Sequence, residues 1–230
     1  MKSSQGRIKL TPLRRILKFC RLNWEALFFL VLSMILCLQN LSFHSDLREL
    51  SLIHQWMARY IRFNAFILKY SVPISVFLSF FFLAAFIKGP SSVVGRRCCD
   101  FLGIYFVSRM LIQLVGLNAL VFDAGNSHFI IITQLIFFLP YTLMAWGWIY
   151  WRIDQFGERR GRLFFRLDHE DVSPRPIDYF VASFSSVFSA SISNIKGLCA
   201  RSRILILMHG FMIYDIMGLT LSRAVALVQR

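Results

Sequence analysis

A series of long apolar runs limits the fold of this chain more than any other feature of the sequence. The hydrocarbon core of a bilayer is about 30 Å thick, so a spanning helix needs roughly 20 apolar residues. Five runs have about this length: Trp24–Leu41, Phe66–Ile87, Phe101–Phe122, His128–Trp151 and Ile204–Val228. Each is predicted to be a transmembrane helix, and the fold class is therefore an all-α integral membrane protein.

The composition and the placement of charge agree with this interpretation. Hydrophobic residues make up 57% of the chain, whereas soluble domains average about 45–50% even when glycine is included. The net charge of +14 comes mostly from Lys and Arg residues that lie between the apolar runs. This placement favours the bilayer and its anionic lipid headgroups over nucleic acid as partners. The aromatic residues that end the fourth run are predicted to form a belt at headgroup level: Trp146, Trp148, Tyr150 and Trp151.

The segments between the runs complete the domain organisation. Residues 1–23 contain basic but no acidic residues and are predicted to form an amphipathic helix on the membrane surface or, alternatively, a flank that determines topology. Residues 42–65 have apolar positions at helical spacing, which predicts an interfacial helix. The remaining parts are a four-helix transmembrane region (24–151), a polar cytoplasmic linker (152–176) and a C-terminal part (177–230).

The distribution of basic residues predicts the orientation in the membrane. With the N-terminus inside the cell, the inside segments 1–23, 88–100 and 152–176 carry sixteen Lys or Arg residues. The outside segments 42–65 and 123–127 carry three. Because short cytoplasmic loops are enriched in Lys and Arg, the chain is predicted to be a multi-pass protein of the cell (inner or plasma) membrane with a cytoplasmic N-terminus.

Two apolar segments of unequal character lie in the C-terminal part. The segment Asp178–Ile195 is too serine-rich for an ordinary spanning helix and too apolar for a loop. After a polar break, Ile204–Val228 is long enough to cross the membrane. A half-helix, a break and a full helix follow one another in the same order in an ion-channel pore module.

Residues 178–195 resemble the pore helix and filter of tetrameric potassium-type channels. Aligned without a gap, the matching residues are Asp178, Tyr179, Phe180, Ser183, Phe184 and Ile195, with Ser186 and Ser189 at threonine positions and Asn194 at an aspartate position. The resemblance implies a re-entrant pore-like half-helix before the last span. The chain is also similar to uncharacterised bacterial membrane proteins that have four helices ahead of a glycine-less pore-like segment.

The sequence departs from the channel family at the filter. The family's Gly-Tyr-Gly triplet is here Ser191, Ile192 and Ser193. Glycine allows backbone conformations that a Cβ disfavours, so that filter carbonyl groups can replace the water around an ion. Serine at both glycine positions argues against potassium selectivity.

The predicted topology also conflicts with the resemblance. In the family the pore helix enters from the outside, but four preceding spans return this chain to the inside before Asp178. Either the pore-like segment enters from the cytoplasm, or one span is miscounted. The charge distribution uses the whole chain, and it favours entry from the cytoplasm.

Hydroxyl groups form a stripe along the pore-like segment. Ser185, Ser189 and Ser193 are four residues apart, and Ser186 adjoins them. The stripe is predicted either to line a polar pathway or to allow close helix packing, and packing is the favoured interpretation. The candidate residues of this segment are Ser185, Ser186, Ser189, Ser191, Ile192, Ser193 and Asn194.

Charged residues also lie near the middle of two predicted spans. Arg109 is inside the third span and Asp215 is inside the last. A charge at this depth is costly unless it is paired or hydrated, so the two residues are predicted to form an ion pair or, alternatively, to line a cavity. His209 faces away from Asp215 and is predicted to be a buried, hydrogen-bonded histidine rather than part of a proton relay.

The remaining motifs indicate neither an enzyme nor a cofactor-binding protein. The five cysteines form no C-x-x-C pair or metal-binding spacing, and no catalytic or phosphate-binding motif is present. The acidic cluster 168–171 is expected to form solvated ion pairs rather than a divalent-cation site. The predicted function is a degenerate ion-channel-like protein that is not potassium-selective and that forms a homo-oligomer if it has a pore. The alternative is a non-conducting membrane scaffold or accessory subunit that retains a pore-like fold for packing.

Overall fold

The computed structural model describes residues 24–46, 59, 62–63, 66–67, 69–70, 73–80, 93–122, 128–158, 161–167, 174–188 and 194–228. The elements in these ranges are α1 (Trp24–Asp46), α2 (Val93–Phe122), α3 (His128–Glu158), β1 (Phe165–Leu167), α4 (Pro176–Phe188), β2 (Ile195–Gly197) and α5 (Ala200–Val228). Residues 73–80 are also helical.

Three of these helices are long and apolar enough to cross a membrane. Their apolar segments are Arg96–Asn118 in α2, Ile131–Glu158 in α3 and Ala200–Ser222 in α5. α1 contains a shorter apolar stretch, Trp24–Gln39. The prediction of a helical protein embedded in a membrane is confirmed by these elements.

Several predictions fall wholly or partly outside the described residues. These are the amphipathic segment 1–23, most of the interfacial segment 42–65 and the acidic cluster 168–171. Within the predicted second span, residues 66–67, 69–70 and 73–80 are described, and they are helical.

The observed helices extend beyond the apolar runs from which they were predicted. α2 begins at Val93 rather than Phe101, and α3 continues to Glu158 rather than ending at Trp151. Hydrophobicity marks the part of a helix that lies in lipid, whereas the backbone hydrogen bonds of the helix continue into water. Part of the predicted linker 152–176 is therefore helix.

A two-stranded antiparallel ribbon interrupts the helical fold. β1 pairs with β2 in the register Phe165↔Gly197, Arg166↔Lys196 and Leu167↔Ile195. The amide of Leu198 donates to the carbonyl of Phe164 at 3.0 Å and extends the pairing by one further bond. The ribbon therefore holds the segment after α3 beside the segment before α5.

α3 is the central helix of the described structure. It packs against α1, α2, α4 and α5, and its most extensive contact is with α4. Within its apolar segment 61% of the residues are buried, compared with 28% in the apolar segment of α5. α5 is therefore peripheral and exposes much of its apolar surface.

The aromatic residues at the end of α3 belong to the core, and the prediction of an interfacial belt is wrong for them. Trp146, Trp148, Tyr150 and Trp151 are all buried. The belt was predicted from position along the run, but these side chains face neighbouring helices instead of lipid because α3 is surrounded by them. The Trp24 and Trp151 rings, for example, meet edge to face at 4.5 Å.

Two glycines allow α3 to approach its neighbours closely. A Cβ added at Gly103 of α2 would lie 1.9 Å from the indole ring of Trp148, so this ring occupies the space above the glycine. A Cβ at Gly147 would lie 2.6 Å from the ring of Phe180 and 3.0 Å from its Cα. The second contact involves backbone, so a side chain at residue 147 would push α4 away from α3.

We expect Gly147→Ala to destabilise the protein. Overpacking of a tight contact typically costs about 1–3 kcal/mol, because backbone must move to relieve it. The measurement is the thermal unfolding midpoint of purified protein in detergent.

Gly218→Ala is the matched control for this change. A Cβ at Gly218 would have no neighbouring atom within 4 Å, and alanine favours helix over glycine by about 1 kcal/mol. Its midpoint should therefore stay unchanged or rise. Equal effects of the two substitutions would contradict the proposed role of Gly147.

Candidate functional site

Two serines of α4 are directed into the contact with α3: Ser183, and Ser186 from the predicted stripe. Ser183 and Ser186 are buried. The Ser183 hydroxyl donates to the Leu143 carbonyl of α3 at 2.8 Å, and the Ser186 hydroxyl donates to the Ser183 carbonyl at 2.6 Å. The Ser183 hydroxyl is satisfied across the helix–helix contact and the Ser186 hydroxyl within α4. For Ser186 this agrees with the packing interpretation.

The opposite face of α4 is apolar. It exposes Ile177, Val181, Phe184 and Phe188, spaced three and four residues apart. An apolar face of this kind suits lipid or another protein surface better than a hydrated path. α4 therefore turns its buried serines toward the protein and its apolar residues outward, whereas a helix that lines a pore turns its hydroxyls toward the ion path.

Of the other candidate residues in the pore-like segment, Ser185 and Asn194 are described. The Asn194 side-chain amide donates to the Ser185 hydroxyl at 3.1 Å, and this hydroxyl donates to the Ala182 carbonyl at 2.9 Å. Asn194, which directly precedes β2, therefore lies beside α4. The remaining candidates, Ser189, Ser191, Ile192 and Ser193, lie outside the described residues.

Asp215 contacts Asn118 of α2, and not Arg109 as predicted. The Asn118 amide nitrogen donates to Asp215 Oδ2 at 2.7 Å and also to the Leu114 carbonyl at 3.1 Å. Arg109 precedes Asn118 by nine residues, which is about 13 Å along a helix axis. The prediction of an Arg109–Asp215 ion pair is wrong because the register of the two helices places an amide, rather than the guanidinium, beside the carboxylate.

Arg109 lies between α2 and α3. Its side chain is 1% exposed, and it acts electrostatically on the phenol of Tyr141. The Tyr141 hydroxyl donates to the Phe106 carbonyl at 2.7 Å, which joins the two helices one turn before Arg109. The deepest cation is thus part of a polar contact within the helix bundle.

His209 is fully buried and hydrogen-bonded, as predicted. Its Nδ1 lies 2.9 Å from the Tyr150 hydroxyl. The imidazole also stacks on the indole of Trp146, with ring centroids 4.9 Å apart and planes 16° from parallel. This cluster fastens α5 to α3.

Three glutamines form a buried chain of amides that the sequence reasoning missed. The Gln113 amide nitrogen donates to Gln39 Oε1 at 2.9 Å, and the Gln39 amide nitrogen donates to Gln134 Oε1 at 2.6 Å. Gln113 Oε1 and Gln134 Nε2, at the two ends, have no partner in the described part of the chain. These three glutamine amides link α1, α2 and α3. In the sequence, the indication of this contact was one glutamine inside each of three apolar runs.

An ion pair links α2 and α3 nearer the other end of the bundle. Arg152 Nη2 lies 2.5 Å from Asp100 Oδ1, and Arg152 Nη1 donates to Gln155 Oε1 at 2.6 Å. The Arg152 guanidinium also lies over the ring of Phe156, 5.0 Å from its centroid. Glu25 of α1 lies within electrostatic range of this pair. Sequence reasoning had placed Arg152 in the linker.

Asp154 organises the junction of α3, β1 and α4. Its Oδ1 accepts the amides of Phe164 at 2.8 Å and Phe165 at 3.2 Å, and its Oδ2 accepts the Tyr179 hydroxyl. Burial and the hydrogen bond to Asp154 raise the pKa of Tyr179, so its hydroxyl remains a donor at neutral pH. One buried carboxylate therefore joins three elements.

A cavity of about 380 Å³ opens beside this junction. It is lined by Trp151, Asp154, Gln155, Glu158, Gly161, Arg162, Leu163, Pro174 and Tyr179. Among the described residues, no group of three or more His, Cys, Asp or Glu side chains could hold a metal ion. Its lining residues offer charged and aromatic groups to a ligand.

No protein-family model, curated protein or solved structure matches this chain. The resemblance to potassium-type channels stays a prediction.

We expect Asn118 and Asp215 to be energetically coupled. Asn118→Leu leaves the carboxylate without its hydrogen-bond donor, so Asn118→Leu and Asp215→Leu together should cost less than the sum of the two single changes. In double-mutant cycles of this kind, which compare two single changes with the double change, interhelical polar contacts in membranes are worth about 0.5–2 kcal/mol. The measurement is the free energy of unfolding in mixed micelles.

The control pair is Arg109→Leu with Asp215→Leu. Because these side chains belong to separate contacts, their effects should add within about 0.5 kcal/mol. Coupling in the Arg109 cycle together with additivity in the Asn118 cycle would contradict the observed register.

Proposed function

We propose that this chain is a five-span protein of the cell membrane in which α4 is a re-entrant half-helix. α4 has 13 residues and so covers about 20 Å, less than the hydrocarbon core requires. The pairing of β1 with β2 supports a return of the chain to the side from which α4 enters, because β1 precedes α4 and β2 follows it. The distribution of Lys and Arg supports a cytoplasmic position for the ribbon and the N-terminus.

The proposed function is that of a non-conducting membrane scaffold or accessory subunit that keeps a pore-like fold for packing. The observation that carries this proposal is the orientation of Ser183 and Ser186, whose hydroxyls are bonded to backbone oxygens in the α3–α4 contact. A conducting path needs polar groups that replace the water around an ion. Here the hydroxyls of Ser183 and Ser186 are occupied within the protein. Neither a catalytic reaction nor a cofactor is part of the proposal.

A degenerate channel formed by a homo-oligomer is the second candidate. It is favoured by the exposed apolar faces of α4 and α5, the two elements that resemble a pore module. On α5 these side chains include Ile204, Leu207, Phe211 and Leu221, and Gly218 among them has open space above it. Small residues on such a face allow helices of different chains to approach closely.

In either case we propose that the protein does not select potassium. A residue with a Cβ held in a left-handed backbone conformation costs roughly 1–2 kcal/mol. With Ser191 and Ser193 in each subunit of a ring, this cost would recur at every filter position that glycine normally occupies. The hydroxyls of such a segment would also bind a dehydrated cation less well than a stack of carbonyls.

Flux through liposomes tests the proposed function. Purified protein reconstituted under a potassium gradient should show no selective, barium-sensitive current. Non-selective cation flux would favour the oligomeric channel over the scaffold. Robust potassium current with sodium excluded would contradict both candidates, because serine would then serve in the filter.

Labelling of Cys199 tests the proposed topology. The hydrogen bond between Ser202 and this partly exposed thiol lowers the pKa of Cys199, which increases its thiolate fraction at neutral pH. In a variant whose other cysteines are alanine, an impermeant maleimide should label Cys199 only after the cells are permeabilised.

Ser202→Ala is the control for the reactivity of the thiol. Loss of the hydroxyl should slow labelling in permeabilised cells without changing the side on which labelling occurs. Labelling of Cys199 in intact cells would place the ribbon outside and restore the channel-like orientation of α4.

A further inference from the structure

The cavity at the end of α3 has rigid walls. The bonds from Asp154 to Phe164, Phe165 and Tyr179 hold one side. On the other side, the amide of Gly161 donates to the Glu158 carbonyl at 3.0 Å and the amide of Arg162 donates to the Gly157 carbonyl at 2.9 Å. These bonds join the described lining residues to one another on both sides of the cavity.

Glycine is required twice in this wall. Gly161 has a φ of +67°, the left-handed conformation that glycine adopts without strain. A Cβ at Gly157 would lie 2.2 Å from the carbonyl oxygen of Arg162, so the turn is folded directly onto α3. The contacts of Gly157 and Gly161 help to position residues 158 and 162 at the cavity.

Two exposed side chains of opposite charge line the cavity on either side of this turn. They are Glu158 and Arg162. Within the described residues, neither side chain forms an ion pair or a hydrogen bond, whereas the nearby Arg152 is fully engaged by Asp100 and Gln155. Among the described residues that line the cavity, Glu158 and Arg162 thus present one anion and one cation without an ion-pair partner, which match a ligand that carries both charges.

The other lining groups and the location of the cavity indicate an amphiphile. Trp151 and Tyr179 supply aromatic surface, and Leu163 and Pro174 supply apolar surface. The apolar segment of α3 has 28 residues, or about 42 Å of helix, which exceeds the hydrocarbon core by roughly 12 Å. Because Arg152, Asp154 and Glu158 lie toward the C-terminal end of α3, we expect that end to extend into the headgroup layer of the membrane.

We propose that this cavity binds a zwitterionic phospholipid through its headgroup, with the ammonium at Glu158 and the phosphate at Arg162. A guanidinium binds a phosphodiester through two parallel hydrogen bonds, and the indole of Trp151 adds a cation–π contact to the ammonium. Ligand pockets usually hold about 300–1,000 Å³, so the observed volume fits a headgroup and leaves the acyl chains in the bilayer. The apolar rim formed by Leu163 and Pro174 faces the start of those chains.

This assignment predicts an order of affinity among phospholipids. Phosphatidylethanolamine satisfies both charges and donates hydrogen bonds to Glu158. Phosphatidylcholine keeps the charge and the cation–π contact but lacks the N–H donors. Phosphatidylglycerol has no cation and leaves Glu158 beside an anionic lipid, so it should bind most weakly.

Native mass spectrometry of the full-length protein in detergent, titrated with these three lipids of equal chain length, tests the proposal. Glu158→Gln and Arg162→Gln should each weaken phosphatidylethanolamine binding about tenfold. Glu158→Gln should also improve phosphatidylglycerol binding, because an electrostatic repulsion is removed. Arg166→Gln is the matched control, since Arg166 is exposed on β1 and does not line the cavity.

The outcomes separate the possibilities. Since residues 158 and 162 are exposed, circular dichroism should show that their variants fold as the parent does. Equal binding of phosphatidylethanolamine and phosphatidylglycerol, or an unchanged preference in Glu158→Gln, would overturn the proposal. Glycerophosphoethanolamine, the soluble headgroup, should bind far more weakly than the lipid; equal binding would show that the cavity takes a free metabolite instead.

Discussion

The close approach of α4 to α3 at Gly147 is the contact on which the C-terminal half of the structure depends. Because residue 147 has no side chain, the backbone of Phe180 reaches α3 and the Ser183 hydroxyl reaches the Leu143 carbonyl. The same approach brings Tyr179 to Asp154, which in turn holds the start of β1. Packing of one short helix therefore determines both the use of its serines and the shape of the neighbouring cavity.

Polar groups inside the helix bundle are arranged in small hydrogen-bonded sets, each joining two or three helices. A bilayer core offers no water to unpaired groups, so such contacts specify which helices are neighbours and in what register. The amide chain through Gln39 links three helices, the Tyr150–His209 contact fastens α5 to α3, and Asn118 meets Asp215. Hydrophobicity is uniform around these helices and so could not determine which helices pack together or in what register.

The C-terminal end of α3 combines polar groups with apolar surroundings in a way that suits the edge of a membrane. The ion pair of Arg152 with Asp100 is satisfied inside the protein, whereas the charges of Glu158 and Arg162 face a cavity. This difference separates the structural contact from the site that we propose for a lipid headgroup. The proposed lipid site and the proposed role as a scaffold are compatible with each other, because neither requires α4 to conduct an ion.

The sequence by itself determined that the chain is helical and embedded in a membrane, because an apolar run of bilayer length has few other stable states. It also indicated a short helix ahead of the last long one, and His209 as a buried, hydrogen-bonded side chain. Tertiary structure alone decided that Asp215 meets Asn118 rather than Arg109, and that the aromatic residues ending α3 face protein rather than lipid. Periodicity gives the face on which a residue lies, but the register and the neighbour of that face depend on contacts between residues far apart in the chain. For the same reason, the glutamine chain and the cavity beside Asp154 became visible only when the helices were assembled.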